Sequence, residues 1–199
     1  MLKKRIVLLL TLTLGFAGHD INTNAATSDI PVLPPAIHTP HTIPATGTIE
    51  VAFSPNGGAA ETVINAITEA KTDIRVQAYL FSYAPIAQAL ADAQNRGIQV
   101  RIILDKNQKT STHSSVNFFT AHHIPTKFDE SFHTAHNKII IVDDNTVITG
   151  SFNFIKTAEE KNAENVLIIR GNKKLADLYI KNWEWRWKNS VAVFPIDHT

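Results

Sequence analysis

From Thr48 onward the apolar positions recur with two alternating periods. Thr48 to Phe53 alternates as a strand, and Ala59 to Ala70 carries Val63, Ile64 and Ile67 at helical spacing. Asp73 to Phe81 reads as a second strand, Ile86 to Arg96 as a second helix stopped by Gly97, and Ile98 to Leu104 as a β-branched third strand. The stretch from Asp105 to Thr134 is less regular, with a short helix expected around Ser114 to Ala121 and a turn at Pro125. Two further strands, Asn137 to Val142 and Thr146 to Thr149, flank an Asp143-Asp144-Asn145 turn; a strand over Glu164 to Arg170 and a helix over Lys173 to Lys188 complete the pattern. Such alternation predicts an α/β fold, a mixed and mostly parallel β-sheet flanked by helices.

The segment before Thr48 has neither period. Met1 to Arg5 is basic and Ile6 to Ala17 is an apolar run of about a dozen residues, shorter than the roughly 20 that span a bilayer. This is the layout of a signal peptide over residues 1–26, with cleavage near Ala25 or Ala26. The expected product is periplasmic or secreted, with no stable membrane anchor after cleavage. Residues 27–47 hold Pro31, Pro34, Pro35, Pro40 and Pro44 and read as a Pro-rich tether, which leaves residues 48–199 as one domain. No other ligand type stands near His38 and His41 in that tether, so they give no metal motif.

Composition narrows the function only by exclusion. Losing residues 1–26 removes Lys3, Lys4, Arg5 and Asp20 and leaves 16 basic against 17 acidic residues, so net charge does not mark a polyanion-binding protein. The chain has no cysteine, which rules out a disulfide scaffold and a thiolate metal site. Any nucleic-acid contact must come from a local patch. Lys106, Lys109 and Lys127, with Thr110 to Ser115, are candidates for one, against the alternative of a solvated loop.

The densest chemistry lies in HNKIIIVDDNTVITGSFN, His136 to Asn153. Side chains two apart on a strand share a face, so His136 and Lys138 project together while Ile139 to Val142 bury the segment. Ser151 and Asn153 share that spacing, and Gly150 permits a close backbone approach. An imidazole, an ammonium, a hydroxyl and an amide together suit an anionic oxygen. Asp143, seven residues from His136, falls in the turn or on the opposite face, where an Asx-turn role accounts for it.

His136-x-Lys138, four residues, Asp143, six residues, Gly150-Ser151-x-Asn153 resembles the signature of the phospholipase D superfamily at every defined position. Six positions at about 5% each match by chance on the order of 10⁻⁸ per starting point. The likeness extends through IRVQAYLF, RGIQVRIILD and NAENVLII to the last helix, and is nearest to the short exported bacterial endonucleases with one motif per chain. That resemblance implies a homodimer joining two motifs across a two-fold axis. It implies His136 as nucleophile through a phosphohistidine, and His136 of the partner subunit as proton donor; histidine suits both roles because its ordinary pKa lies near neutrality. Lys138 and Asn153, with Ser151 assisting, would bind the phosphate oxygens, and Glu164 would orient the histidine; no metal and no cofactor is implied. Asp143 belongs to the motif, but its parity points to a structural role.

The resemblance favours sequence-independent cleavage of DNA, with RNA as a further substrate. Two other readings compete: a phospholipid phosphodiesterase, and an inactive nucleic-acid-binding module, which would be expected to lack one of the motif's polar groups. Trp183, Trp185 and Trp187 are candidates for a membrane-interface belt, but Trp183 and Trp187, four apart, share a helix face and suit packing. His113, His122, His123 and His133, with Asp129 and Glu130, raise a zinc reading that the lack of an HExxH motif weakens.

Overall fold

The computed structural model describes residues 32–193. The expected signal peptide lies outside the described residues. Within them, eight strands form one sheet: β1 (Thr48–Ser54), β2 (Asp73–Ala78), β3 (Gln99–Asp105), β4 (Thr126–Asp129), β5 (Lys138–Val142), β6 (Thr146–Gly150), β7 (Glu164–Arg170) and β8 (Val191–Ala192). Their spatial order is β1-β7-β6-β5-β2-β3-β4-β8.

The fold class holds as a mixed α/β sheet flanked by helices, while its pairing is less parallel than the alternation predicts. Only β2–β3 and β3–β4 pair in parallel; the other five neighbouring pairs are antiparallel. The physical reason is the connections. Parallel neighbours need a crossover, which α2 (Ala84–Asn95) and α3 (Val116–Ala121) supply, whereas β5 and β6 are joined by a tight turn and must run antiparallel. Asp143 and Asp144 make that turn at φ 52° and 54°, in the left-handed region that Asp tolerates better than most residues.

The main core lies on the sheet face covered by α1 (Ala59–Thr68), α2, α3 and α4 (Lys156–Glu160), with Val63, Ile67, Leu90, Phe119 and Ala158 packed on Ile74, Val76, Ile140 and Ile148. The other face carries α5 (Lys173–Asn189), whose Trp183 is buried on Ile103 and Ile141 and donates Nε1–H to Val76 O at 2.9 Å. Trp187 stacks on Trp183 at 5.0 Å, so these two tryptophans pack the interior rather than form a belt. Buried Arg75 ties α5 down: its guanidinium reaches Asp73, Asp144 at 2.6 Å and Glu184 at 3.1 Å, joining β2, the β5–β6 turn and the helix. Among the described residues no helix is long and apolar enough to cross a membrane.

Residues 32–47 of the Pro-rich segment lie against this framework. A 3-10 turn at Pro35–Ile37 packs on α5. Further along, buried Asn172 donates Nδ2–H to Pro44 O at 3.0 Å while its Oδ1 accepts from Leu175 N at 3.1 Å as the N-cap of α5.

Candidate active site

β2, β3, β4, β6 and β1 all end at one edge of the sheet, and β5 and β7 begin there, so their loops converge on it. Ligand sites favour the carboxyl ends of parallel strands in such sheets. His136 sits at this edge, exposed, in the loop entering β5. Its backbone is clamped on both sides. Ala135 N–H donates to the fully buried Asp105 Oδ2 at 2.6 Å, and Asn137 O accepts from Tyr79 N at 2.8 Å.

Lys138 is 8% exposed, yet its ammonium emerges beside the histidine, 3.1 Å from both Nδ1 and Nε2 of His136. Tyr79 closes the arrangement, its ring centroid 4.6 Å from the His136 ring and 5.3 Å from Lys138 Nζ. Burial pushes the Lys138 ammonium below the ordinary lysine value, with the Glu164 carboxylate pulling the other way. A desolvated cation beside an exposed imidazole can stabilise charge developing on a bound oxyanion.

Gly150 lets β6 end against β7. A Cβ at this position would lie 2.1 Å from Asn165 O, so no larger residue fits without moving the strand. Beyond it, Ser151 and Asn165 lock together: Asn165 donates N–H (3.0 Å) and Nδ2–H (3.2 Å) to Ser151 Oγ, and Ser151 N–H donates to Asn165 O at 3.1 Å. Asn153 Oδ1 is buried without a hydrogen-bond partner, a state that ordinarily costs about 1–3 kcal/mol.

The remaining expected residues divide. Glu164 reaches the site's electrostatics through Lys138, but its carboxylate accepts from Asn162 Nδ2 at 3.1 Å and makes no hydrogen bond to His136 within the chain. Asp143 lies at the far end of β5, about 16 Å from Lys138 at 3.3 Å per residue. There its carboxylate accepts from Lys71 N, Thr72 N, Thr72 Oγ1 and Asp73 N at 2.7–3.2 Å, anchoring the start of β2. Partial burial would raise its pKa, but those hydrogen bonds win and hold it below the ordinary value. Asp143 therefore touches no reacting group, as its parity predicts. Of the lysines expected along a groove, Lys106 donates to Phe132 O at 2.8 Å, Lys109 pairs with Glu130, and Lys127 donates to Trp187 O at 2.9 Å. Among the described residues no three His, Cys, Asp or Glu side chains group as metal ligands; His122 Nδ1 lies 2.9 Å from Phe118 O, and His133 Nδ1 lies 3.2 Å from Thr134 Oγ1.

Tyr79 and Asp105 lie outside the His136–Asn153 motif, in the stretches IRVQAYLF and RGIQVRIILD, and the tertiary structure brings them to His136. Comparison with known proteins agrees with the geometry. The family model described as "Cardiolipin synthase, PLD-like domain" matches residues 63–187. A protein named phospholipase D from Rickettsia conorii is 41% identical over 135 residues, 68% of this chain and 67% of the relative. The mouse mitochondrial cardiolipin hydrolase is 26% identical over 140 residues, 68% of this chain and 63% of its own length. Among solved structures, Nuc from Salmonella typhimurium, a phospholipase D family member, superposes with a TM-score of 0.71 at 40% identity, covering 73% of this chain and 97% of that one. With the histidine, lysine and asparagine of its motif gathered at one sheet edge, this chain belongs to the phospholipase D superfamily.

Proposed function

We propose that this superfamily hydrolase is an exported, metal-independent endonuclease, cleaving DNA and also RNA without sequence preference in a homodimeric site. The observation that carries the reading is the Lys138 ammonium lying 3.1 Å from both ring nitrogens of exposed His136. Neutral His136 attacks phosphorus; the N–P bond forms as the P–O bond to the leaving strand breaks. The leaving oxygen takes a proton from His136 of the partner subunit, which then draws a proton from water. That water attacks phosphorus and breaks the N–P bond, restoring both histidines. Lys138 and the Asn153 amide offset the charge on the non-bridging oxygens.

One chain offers one such histidine, so the reaction needs a second copy. Supporting a two-fold contact, Ile49, Val51 and Phe53 stand 64%, 53% and 59% exposed on one face of edge strand β1, beside Leu167 and Ile169 of β7. A contiguous apolar face of this kind marks an interaction surface. Similarity to Nuc over 97% of that chain supports the nuclease reading; the name of the Rickettsia relative supports a phospholipid diester instead.

The test is plasmid cleavage, in excess EDTA, by purified protein of measured mass, with phosphatidylcholine assayed in parallel. Nicking that survives chelation, accompanies the dimer and disappears in His136→Ala is expected, with an acid-labile phosphoryl adduct on quenching. Loss of activity in EDTA, or full activity from a strict monomer, would overturn the mechanism.

A further inference from the structure

A cavity of about 390 Å³ opens beside the catalytic pair, on the α5 face of the sheet. Around it stand His136 and Lys138, Leu178 and Tyr179 of α5, and Ile37 and His41 of the Pro-rich segment, with Thr149 and Asn182 adding polar lining. That segment lies before the portion matched by the family model, which begins at residue 63. It is nevertheless held in place, by the 3-10 turn on α5 and by the hydrogen bond from Asn172 to Pro44 O. Four prolines, Pro34, Pro35, Pro40 and Pro44, restrict its unfolded freedom and so lower the entropy lost in ordering it.

The lining is mixed: the His136–Lys138 pair, the aromatic and aliphatic side chains of Tyr179, Leu178 and Ile37, and the polar Asn182 and His41. The volume falls within the range of small-molecule sites, about 300–1,000 Å³. A nucleotide asks for the same mixture, with a phosphate, an apolar ring face, and polar ring edges.

We infer that this cavity is a nucleoside subsite adjoining the scissile phosphate, and that the Pro-rich segment forms part of its lining, with His41 contacting the edge of the base. The inference rests on the nuclease reading and specifies how the strand is gripped. A base there gains contact with Tyr179 and Ile37 whatever its identity, which suits sequence-independent binding. His41 is thus a specificity-determining contact for nucleic acid over other phosphodiesters.

The probes are a short single-stranded oligodeoxynucleotide and an abasic oligomer of equal length. Wild-type protein is expected to favour the base-bearing strand in kcat/KM by about tenfold, mostly through KM. In His41→Ala, and in a deletion of residues 33–43 that leaves Pro44 on Asn172, that ratio should fall toward one. A ratio that stays at the wild-type value in both variants, whatever their absolute rates, overturns the subsite. So does a wild-type protein indifferent to the missing bases. Cleavage of phosphatidylcholine with neither oligomer cut would instead sink the nuclease reading itself, and would assign the cavity to a lipid glycerol moiety.

Discussion

Replacing Asp143 separates the motif's chemistry from its architecture. In Asp143→Ala, four hydrogen bonds to the start of β2 disappear, three of them from backbone N–H groups. The freed donors are near solvent, so each loss costs toward the lower end of about 0.5–1.5 kcal/mol, and the four together about 2–3 kcal/mol. For a domain of this size that lowers Tm by roughly 4–12 °C. The carboxylate's folded pKa lies below its ordinary value of 3.8, so its ionised form favours the folded state. That contribution is complete above the ordinary value and is lost as pH falls through the folded one. The deficit of Asp143→Asn should therefore be full at neutral pH and shrink in strong acid. Calorimetry across pH would be set beside diester cleavage at a temperature where the variant stays folded. There kcat should stay within about threefold of wild type, because no reacting group is touched. A folded, thermally unaltered Asp143→Ala protein with a hundredfold loss in kcat would refute the assignment.

Two further outcomes follow from the same geometry. Burial holds the Lys138 ammonium below its ordinary value, so the alkaline limb of cleavage should fall earlier than an exposed lysine would give. Lys138→Arg, which stays protonated, should lose that limb along with some of its rate, and an unchanged limb would exclude Lys138 as its source. Gly150→Ala brings a methyl against Asn165 O and should destabilise by several kcal/mol, read as lost soluble yield or a Tm drop; wild-type stability would mean that β7 yields freely.

The sequence made the site's outline legible because its chemistry is local. His136 and Lys138 share a strand parity, and Asp143 breaks it, so the clamp role of Asp143 followed from counting residues. Most strand and helix positions followed from period alone. β4 escaped because its four residues, Thr-Lys-Phe-Asp, bury Thr126 and Asp129, and the latter is paired with Arg186, 57 residues away, at 2.8 Å as well as with the nearby Ser131 N–H at 3.2 Å. β2 stops at Ala78, short of Phe81, with Tyr79 N–H to Asn137 O as its last ladder bond to the segment entering β5. The partners of Lys106 and Lys127 were hidden for a related reason: they are backbone carbonyls, which composition cannot display. The supports from Asp105 and Tyr79 are likewise contacts between distant parts of the chain.

Asn172 carries a consequence of a different kind. One planar amide starts the last helix with its oxygen and holds the proline segment with its nitrogen, joining two elements that line the cavity. Exchanging that nitrogen for oxygen, as in Asn172→Asp, would keep an equally good helix start and remove the donor to Pro44 O. The 3-10 turn would still rest on α5, so a change of one atom would loosen one end of the segment and leave the other packed.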